Sequence, residues 1–106
     1  MEPFRLGNWQ VSPKLNQLTL ISNGKIETVT PKIMKLLTVL VNQAQEPASV
    51  EQLIAGVWQG RVVADSSVYQ AVAQLRKVLA QDSEQATYIE RISGQGYRIA
   101  PEITVD

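Results

Sequence analysis

The segment from Ser66 to Arg98 constrains the possible fold more than any other part of the chain. At about 100° per residue, the apolar side chains of residues 66–79 fall in one narrow stripe, which predicts an amphipathic helix. That stripe consists of Val68, Val72, Leu75 and Leu79. After a polar loop, residues 88–100 form two short apolar stretches around Ser93-Gly-Gln-Gly96, which predicts a β-hairpin. The segment therefore predicts a helix with one buried edge, followed by a hairpin with glycines at its tip.

The first thirty residues predict a small antiparallel sheet of four strands. Short segments of mostly alternating apolar and polar residues are separated by turn residues such as Gly7-Asn8 and Ser12-Pro13. The four predicted strands are Phe4–Leu6, Trp9–Val11, Leu18–Ile21 and Lys25–Thr28. Asn23-Gly24 predicts a two-residue type I′ turn with positive φ at both positions. Trp9 is expected to join this sheet to the helices.

Two further helices are predicted between the sheet and Ser66. Thr30 is expected to cap the first helix and Pro31 to occupy its first position, and Pro47 stops it. The core face of this helix is Ile33, Leu36, Leu37, Leu40 and Val41. Ser49 and Gln52 fit a capping box at the start of the second helix. Its apolar face is Leu53, Ile54, Val57 and Trp58.

The predicted element order is four strands, three helices and two strands, an α+β arrangement in a single domain. The connector from Gln59 to Ala64 is short, so helices two and three have the layout of a helix-turn-helix. Asp65 is the expected N-cap of the third helix, with Ser66 as the alternative. The hairpin after it makes the unit a winged helix-turn-helix. The domain spans residues 1–106 with a core of about 4–100, and residues 101–106 are expected to be a frayed tail or the start of a linker.

The composition argues against catalysis and leaves nucleic-acid binding open. The chain has no Cys and no His, so thiolate metal sites, disulfides and a histidine base are excluded. Asp82 and Glu84 lie in a polar loop, where both are expected to be solvated. No catalytic residue, metal ligand or cofactor is therefore predicted, and the chain is not expected to be an enzyme. Equal numbers of basic and acidic residues, 10 each, count against nucleic-acid binding without excluding it.

Five motifs occur together in a specific order along almost the whole chain. They are Phe4-x-x-Gly7-x-Trp9-x-Val11-x-Pro13, Thr30-Pro31-Lys32, Ser49-x-Glu51-x-Leu53-x-x-x-Val57-Trp58, Asp65-Ser-Ser-Val68 with Gln74-Leu-Arg-Lys77, and Tyr88-Ile89 with Gly94-x-Gly96-Tyr97-Arg98. In this order they resemble the OmpR/PhoB-type winged-helix DNA-binding domain. More narrowly, the chain resembles the N-terminal domain of CadC/ToxR-like membrane-anchored transcriptional regulators.

The resemblance implies a cytoplasmic domain of a transcriptional regulator that binds double-stranded promoter DNA, often as two copies on direct-repeat half-sites. Helix 66–79 is expected in the major groove, and wing 88–100 on the backbone and minor groove. The loop between helices two and three is expected to contact RNA polymerase. The residues expected in this contact are Gln59, Arg61, Val62 and Val63. A membrane span and a sensor are expected after residue 106, because this is the arrangement of the CadC/ToxR subgroup. No signal peptide or long apolar run is present in these residues.

The resemblance also suggests roles on the third helix. Where relatives often carry Arg, His or Arg, this chain has Ser66, Ala71 and Gln74. Gln74, followed by Gln70, is the expected base reader, because Gln pairs bidentately with adenine. Residues expected to contact phosphate are Ser66, Ser67, Arg76 and Lys77. Residues expected to touch a thymine methyl group are Ala71 and Ala73. The alternative is that this polar face is only solvated.

In the wing, Ser93 replaces an Arg that some relatives place in the minor groove, and Gln95 is expected to reach a sugar or base edge. Arg91 and Arg98 are candidate phosphate ligands, and the side of the hairpin on which Arg91 lies is open. For Tyr97, and likewise for Trp58, contact with the DNA backbone and packing in the core are both open. Arg91 and Arg98 are two of five candidate cations, which predict a moderate salt dependence of DNA affinity. The other three are Arg61, Arg76 and Lys77. The alternative function is a winged-helix module that binds protein.

Overall fold

The computed structural model describes residues 1–85 and 87–106. The first sheet contains β1 (Phe4–Leu6), β2 (Trp9–Ser12), β3 (Gln17–Leu20) and β4 (Ile26–Thr28), with a short 3₁₀ helix at Pro13–Leu15. Three helices follow: α1 (Pro31–Asn42), α2 (Val50–Val57) and α3 (Asp65–Leu79). The second sheet contains β5 (Ile89–Ile92) and β6 (Gly96–Ile99). The predicted element order is confirmed.

The N-terminal sheet is antiparallel with the strand order β1-β2-β3-β4. Phe4 is paired with Val11 and Trp9 with Leu20, so side chains alternate between the two faces of the sheet. The inward residues Leu6, Trp9, Val11, Leu18 and Leu20 are all buried. Trp9 belongs to the same apolar cluster as the helix residues, and its expected role between sheet and helices is confirmed.

The turn between β3 and β4 differs from the predicted type I′ turn. Gly24 has a φ of 74°, but Asn23 is not in the left-handed region, and the loop covers residues 21–25. The Asn23 side-chain oxygen accepts a hydrogen bond from Lys25 N at 2.9 Å. Gly24 N donates to Leu20 O at 2.7 Å. The prediction failed because the Asn23 side chain caps the turn, so that only the glycine adopts positive φ.

The helix caps follow the local sequence closely. Thr30 accepts a hydrogen bond from Ile33 N at 3.2 Å, and Pro31 is the first residue of α1. Ser49 and Gln52 form both bonds of the predicted capping box. The predicted cap of α3 is wrong by one position, because Ala64 is the N-cap and Asp65 is already helical. A carboxylate in the first turn still favours the helix through its dipole.

The wing packs on the helices through its inner strand. Tyr97 N donates to Ala48 O at 3.0 Å, and Ala48 N donates to Tyr97 O at 2.7 Å. These bonds tie β6 to the segment that connects α1 and α2. The predicted stripe of α3 is buried, and it lies in the same core as the inward residues of both sheets. The fold is a winged helix-turn-helix.

The C-terminal residues are docked on the first sheet and are not a frayed tail. Gly7 N donates to Thr104 O at 2.8 Å, and Arg5 and Asp106 exchange two backbone hydrogen bonds of 2.9 and 3.1 Å. Ile103 is buried at 3% exposure. The expectation of a frayed tail was wrong because the open edge of β1 provides backbone partners for this segment.

Candidate nucleic-acid interface

The outer face of α3 is polar and exposed, as its pattern predicts. Its exposed residues are Ser66, Gln70, Ala73, Gln74 and Lys77, and Ser67 is half-buried. Ala71 is only 5% exposed and lies in the core, so the expectation that it touches a thymine methyl group is wrong. Ala71 is one residue before Val72, and the buried arc of α3 is wide enough to include both.

A groove of about 240 Å³ lies between the start of α2, the start of α3 and the wing tip. Arg91 and Gln95 line it from the wing, Glu51 lines it from α2, and Asp65 and Tyr69 line it from α3. Two carboxylates therefore face the same groove as one guanidinium. Their formal charges sum to −1, so the groove beside the outer face of α3 has no excess of positive charge.

Tyr69 is a surface residue of α3 that the sequence analysis missed. Its side chain is 47% exposed at the groove. The available signal was an aromatic residue that lies outside the apolar stripe of an amphipathic helix. An exposed tyrosine offers both an apolar ring and a hydroxyl group to a ligand.

The structure settles the open orientation of the wing. Ile89 is buried at 1% exposure, whereas Arg91, two residues nearer the tip, is exposed although it points to the same side. The difference arises because Ile89 lies at the base of the hairpin, opposite the buried Ile99. Ser93 and Gln95 are also exposed at the tip. The tip therefore presents one cation and two short polar side chains.

Two of the five candidate cations already have partners within the protein. Arg98 Nε lies 2.8 Å from Glu90 Oε1 in a half-exposed ion pair. Arg76 Nη2 donates to Ile89 O at 3.1 Å. In the part of the chain that the structure describes, no ion pair involves Arg61, Lys77 or Arg91. These three remain the candidates with an uncommitted charge.

The two aromatic residues with open roles both lie in the core. Trp58 is 7% exposed and Tyr97 is 5% exposed, which favours packing as the main role of each ring. Lys32 Nζ lies 5.5 Å from the centre of the Trp58 ring, a cation–π distance. Lys32, Trp58 and Arg61 line one shallow groove of about 180 Å³. Lys32 was missed as a candidate, although its place in the first turn of α1 makes it a surface cation.

The loop between α2 and α3 presents an apolar side chain to solvent. Val62 is fully exposed, and Gln59 and Arg61 beside it are exposed as well. Val63 is partly buried and packs against the core. Three of the four residues of the predicted polymerase loop are thus accessible, whereas Val63 serves mainly to anchor the loop.

Asp82 is buried, so the expectation that it is solvated was wrong. Its side chain is 4% exposed and accepts hydrogen bonds from Tyr88 Oη at 2.6 Å and Asn8 Nδ2 at 2.8 Å. Glu84 N donates to its other oxygen at 3.0 Å. Burial alone raises the pKa of Asp82, but the hydrogen bonds from Tyr88, Asn8 and Glu84 N lower it below its ordinary value. Asp82 therefore joins the β1–β2 turn to the segment before β5. Glu84 is exposed, as expected.

A model of the family described as "Transcriptional regulatory protein, C terminal" matches residues 24–99. The chain belongs to this family. The predicted resemblance to the OmpR/PhoB-type domain and to its CadC-like group is confirmed. Among the helices that the structure describes, none is long and apolar enough to cross a membrane.

Two curated family relatives are transcriptional regulators of enteric bacteria. The chain is 32% identical over 96 residues to the transcriptional activator CadC of Escherichia coli, covering 90% of this chain and 18% of that protein. It is 32% identical over 87 residues to the transcriptional regulator HilA of Salmonella typhimurium, covering 82% of this chain and 16% of that protein. The chain thus spans less than a fifth of the length of these relatives.

Two solved structures share the whole fold. The DNA-binding domain of E. coli CadC superposes with a TM-score of 0.86 at 30% identity, covering 96% of this chain and 94% of that domain. The DNA-binding domain of Klebsiella pneumoniae RstA, in complex with the RstA box, has a TM-score of 0.77 at 22% identity. That match covers 95% of this chain and 99% of the RstA chain, and it supports the fold alone.

Proposed function

We propose that this domain binds double-stranded promoter DNA sequence-specifically as part of a bacterial transcriptional regulator. The observation that carries the proposal is the exposed polar face of α3 beside the exposed wing tip, on a fold shared at 30% identity with the DNA-binding domain of CadC. In this arrangement α3 enters the major groove, and the wing lies on the backbone and the minor groove.

The side chains divide into base readers and phosphate ligands. Gln74 and Gln70 face outward one turn apart, and each can pair with an adenine edge, while Ala73 offers a methyl contact. Lys77 near the end of α3 holds phosphate. Ser66 and Ser67, in the first turn of α3, have hydroxyl and backbone N–H groups suited to phosphate. At the wing tip, Arg91 contacts phosphate, and Ser93 and Gln95 reach the sugar or base edges.

Two substitutions on α3 test this division. Gln74→Ala is expected to reduce discrimination at one base pair by about 1–3 kcal/mol, because it removes a bidentate contact. Lys77→Ala is expected to weaken binding to all sequences alike and to reduce the slope of log K against log[salt] by about 0.9. Fluorescence anisotropy on single-substitution duplexes at several salt concentrations measures both effects. Lys35→Ala, an exposed lysine on α1, is the control and should leave binding unchanged.

We further propose that two copies act together on direct-repeat half-sites. Support comes from the small number of candidate cations without an ion pair in the described residues, Arg61, Lys77 and Arg91 with the surface cation Lys32, which limits the phosphate affinity of one copy. A duplex with one half-site should bind weakly, whereas a direct repeat should bind two copies with a higher affinity per copy. Electrophoretic mobility shifts on both duplexes measure this. Nanomolar binding of one copy to a single half-site at physiological salt contradicts the proposal.

A protein-binding role is the alternative, and the exposed Val62 is the observation that favours it. An apolar side chain that is fully exposed in a loop, beside Gln59 and Arg61, suits a protein surface such as RNA polymerase. A regulator can use α3 for DNA and this loop for polymerase. A domain that fails to bind any DNA but binds a protein partner tightly supports the protein-binding module instead.

We infer that the domain works in the cytoplasm, as the DNA-binding part of a longer regulator with a membrane span and a sensor. The inference rests on the resemblance of the motifs to CadC/ToxR-like membrane-anchored regulators, together with the 32% identity to CadC, of which this chain covers 18%. Fractionation of the full-length protein checks it, since a membrane-anchored regulator sediments with the inner membrane. We infer no enzymatic activity, because the family consists of transcriptional regulators.

A further inference from the structure

Arg76 connects the outer part of α3 to both strands of the wing. Its Nη2 donates to Ile89 O of β5 at 3.1 Å. Its guanidinium carbon lies 5.7 Å from the ring centre of Tyr97 on β6, a cation–π distance. One side chain of α3, the recognition helix of the proposed DNA interface, therefore contacts both strands of the hairpin.

The carbonyl group that Arg76 contacts is free of the wing's own hydrogen bonds. Ala100 N donates to Tyr88 O at 2.9 Å, which makes this pair a hydrogen-bonded pair of the ladder. Because such pairs alternate along antiparallel strands, the next pair, Ile89 and Ile99, directs its backbone groups outward. Arg76 thus provides a charged donor to the outer edge of β5.

The opposite edge of the wing is held by backbone hydrogen bonds between Tyr97 and Ala48. The wing has only two strands, and an isolated two-stranded hairpin is at best marginally stable in water. Its position therefore depends on the packing of Ile89, Tyr97 and Ile99 in the core and on what holds its two edges. Ala48 secures β6 to the connection between α1 and α2, and Arg76 secures β5 to α3.

We propose that Arg76 is a positioning residue that sets the wing relative to the recognition helix, so that Gln74 and the wing tip reach DNA together. This inference rests on the proposed DNA binding. It assigns to Arg76 a role different from the phosphate contact that its charge alone suggests. The planar guanidinium suits the role, because it can donate to the carbonyl group while it covers the Tyr97 ring.

The test compares Arg76→Gln with the Lys77→Gln control on the neighbouring position. Arg76→Gln is expected to weaken binding about tenfold on a duplex long enough for the wing to contact, a loss typical of the coupling between contacting residues. The slope of log K against log[salt] should not change. Lys77→Gln is expected to reduce that slope by about 0.9. In an Arg91→Ala, Gln95→Ala background, which removes the wing contacts, Arg76→Gln should cost much less. The Arg76→Gln variant should keep the wild-type preference at the base pair that Gln74 contacts.

A second variant and a second measurement separate the outcomes. Arg76→Lys keeps the charge, so it should bind like the wild type if Arg76 is a phosphate ligand and should show part of the loss if Arg76 positions the wing. Hydrogen exchange on the free domain should show faster exchange in β5 and β6 for both variants, with α1 unchanged. The inference is overturned if Arg76→Gln reduces the salt slope and costs as much in the Arg91→Ala, Gln95→Ala background as in the wild type. Unchanged DNA binding by Arg76→Gln overturns it as well. If the wild type binds no DNA, the proposed function fails, and the exchange data alone decide whether Arg76 holds the wing.

Discussion

Replacing Gly96 with alanine is expected to destabilise the domain more than any other single methyl addition. A Cβ atom at this position would overlap Ala48 O and Ala48 C, which are backbone atoms that cannot rotate away. The φ of Gly96 is +125°, a conformation that side chains rarely adopt. Strain and overlap together are expected to cost on the order of 4 kcal/mol, a large share of the stability of a small domain.

The glycine at the other end of the turn is a matched control. Gly94 also has a positive φ, +74°, but among the described residues no atom beyond Gly94 and its two chain neighbours lies within 4 Å of the point that a Cβ would occupy. Gly94→Ala should therefore cost only about 1 kcal/mol from the backbone alone. Urea denaturation followed by circular dichroism compares the two variants. Equal losses for both would show that β6 moves away from Ala48 easily and that close packing at Gly96 is not required.

Replacing Asp82 with alanine is expected to have the second largest effect. The substitution leaves the Tyr88 hydroxyl and the Asn8 amide without their shared acceptor, and Tyr88 is 4% exposed. Losing a charged, buried hydrogen-bond acceptor is expected to cost about 2–3 kcal/mol of unfolding free energy. Glu84→Ala, in the same loop but exposed, is the control and should change stability by less than about 0.5 kcal/mol. Similar values for the two variants would contradict the structural role of Asp82.

The hydrogen-bonded pair of Asp82 and Tyr88 also predicts how the stability of the fold depends on pH. The pKa of Asp82 is lower in the folded state, so its contribution is present above the ordinary pKa of about 4 and is lost as pH falls through the folded value. Burial and the hydrogen bond to Asp82 raise the pKa of Tyr88. The contribution of Tyr88 to folding stability is therefore fully present below its ordinary pKa of about 10 and is lost at higher pH. Asp82→Asn should flatten the acid side of the stability profile relative to the wild type. An unchanged acid side would show that other carboxylates dominate.

The elements of this fold that were predicted correctly depend on nearby residues. Thr30 and Pro31 start α1, and Ser49 with Gln52 starts α2, because caps are decided within one helical turn. The apolar stripe of α3 identified its buried edge because spacing alone determines the face. The order of the five motifs indicated the family, and the family model confirms it.

The errors arose where a partner distant in sequence decides the environment. Asp82 was expected to be solvated, but Asn8 is 74 positions away and reaches it only when the sheet folds against the loop. Residues 103–106 had no evident partner until the open edge of β1 was placed beside them. The predicted phosphate contact of Arg76 is a separate case, because only the folded hairpin shows that its guanidinium also donates to Ile89 O at 3.1 Å.

The sequence by itself determined the order of the elements, their caps and the polar outer face of α3, because these depend on residues within a few positions of one another. Only the tertiary structure decided which charges are available to a ligand. Pairing in space commits Arg98 to Glu90 and Arg76 to the wing, and leaves Arg61, Lys77 and Arg91 without an ion pair in the described residues. The helix and hairpin from Ser66 to Arg98 therefore form a unit that is tied together by one of the cations first expected on DNA.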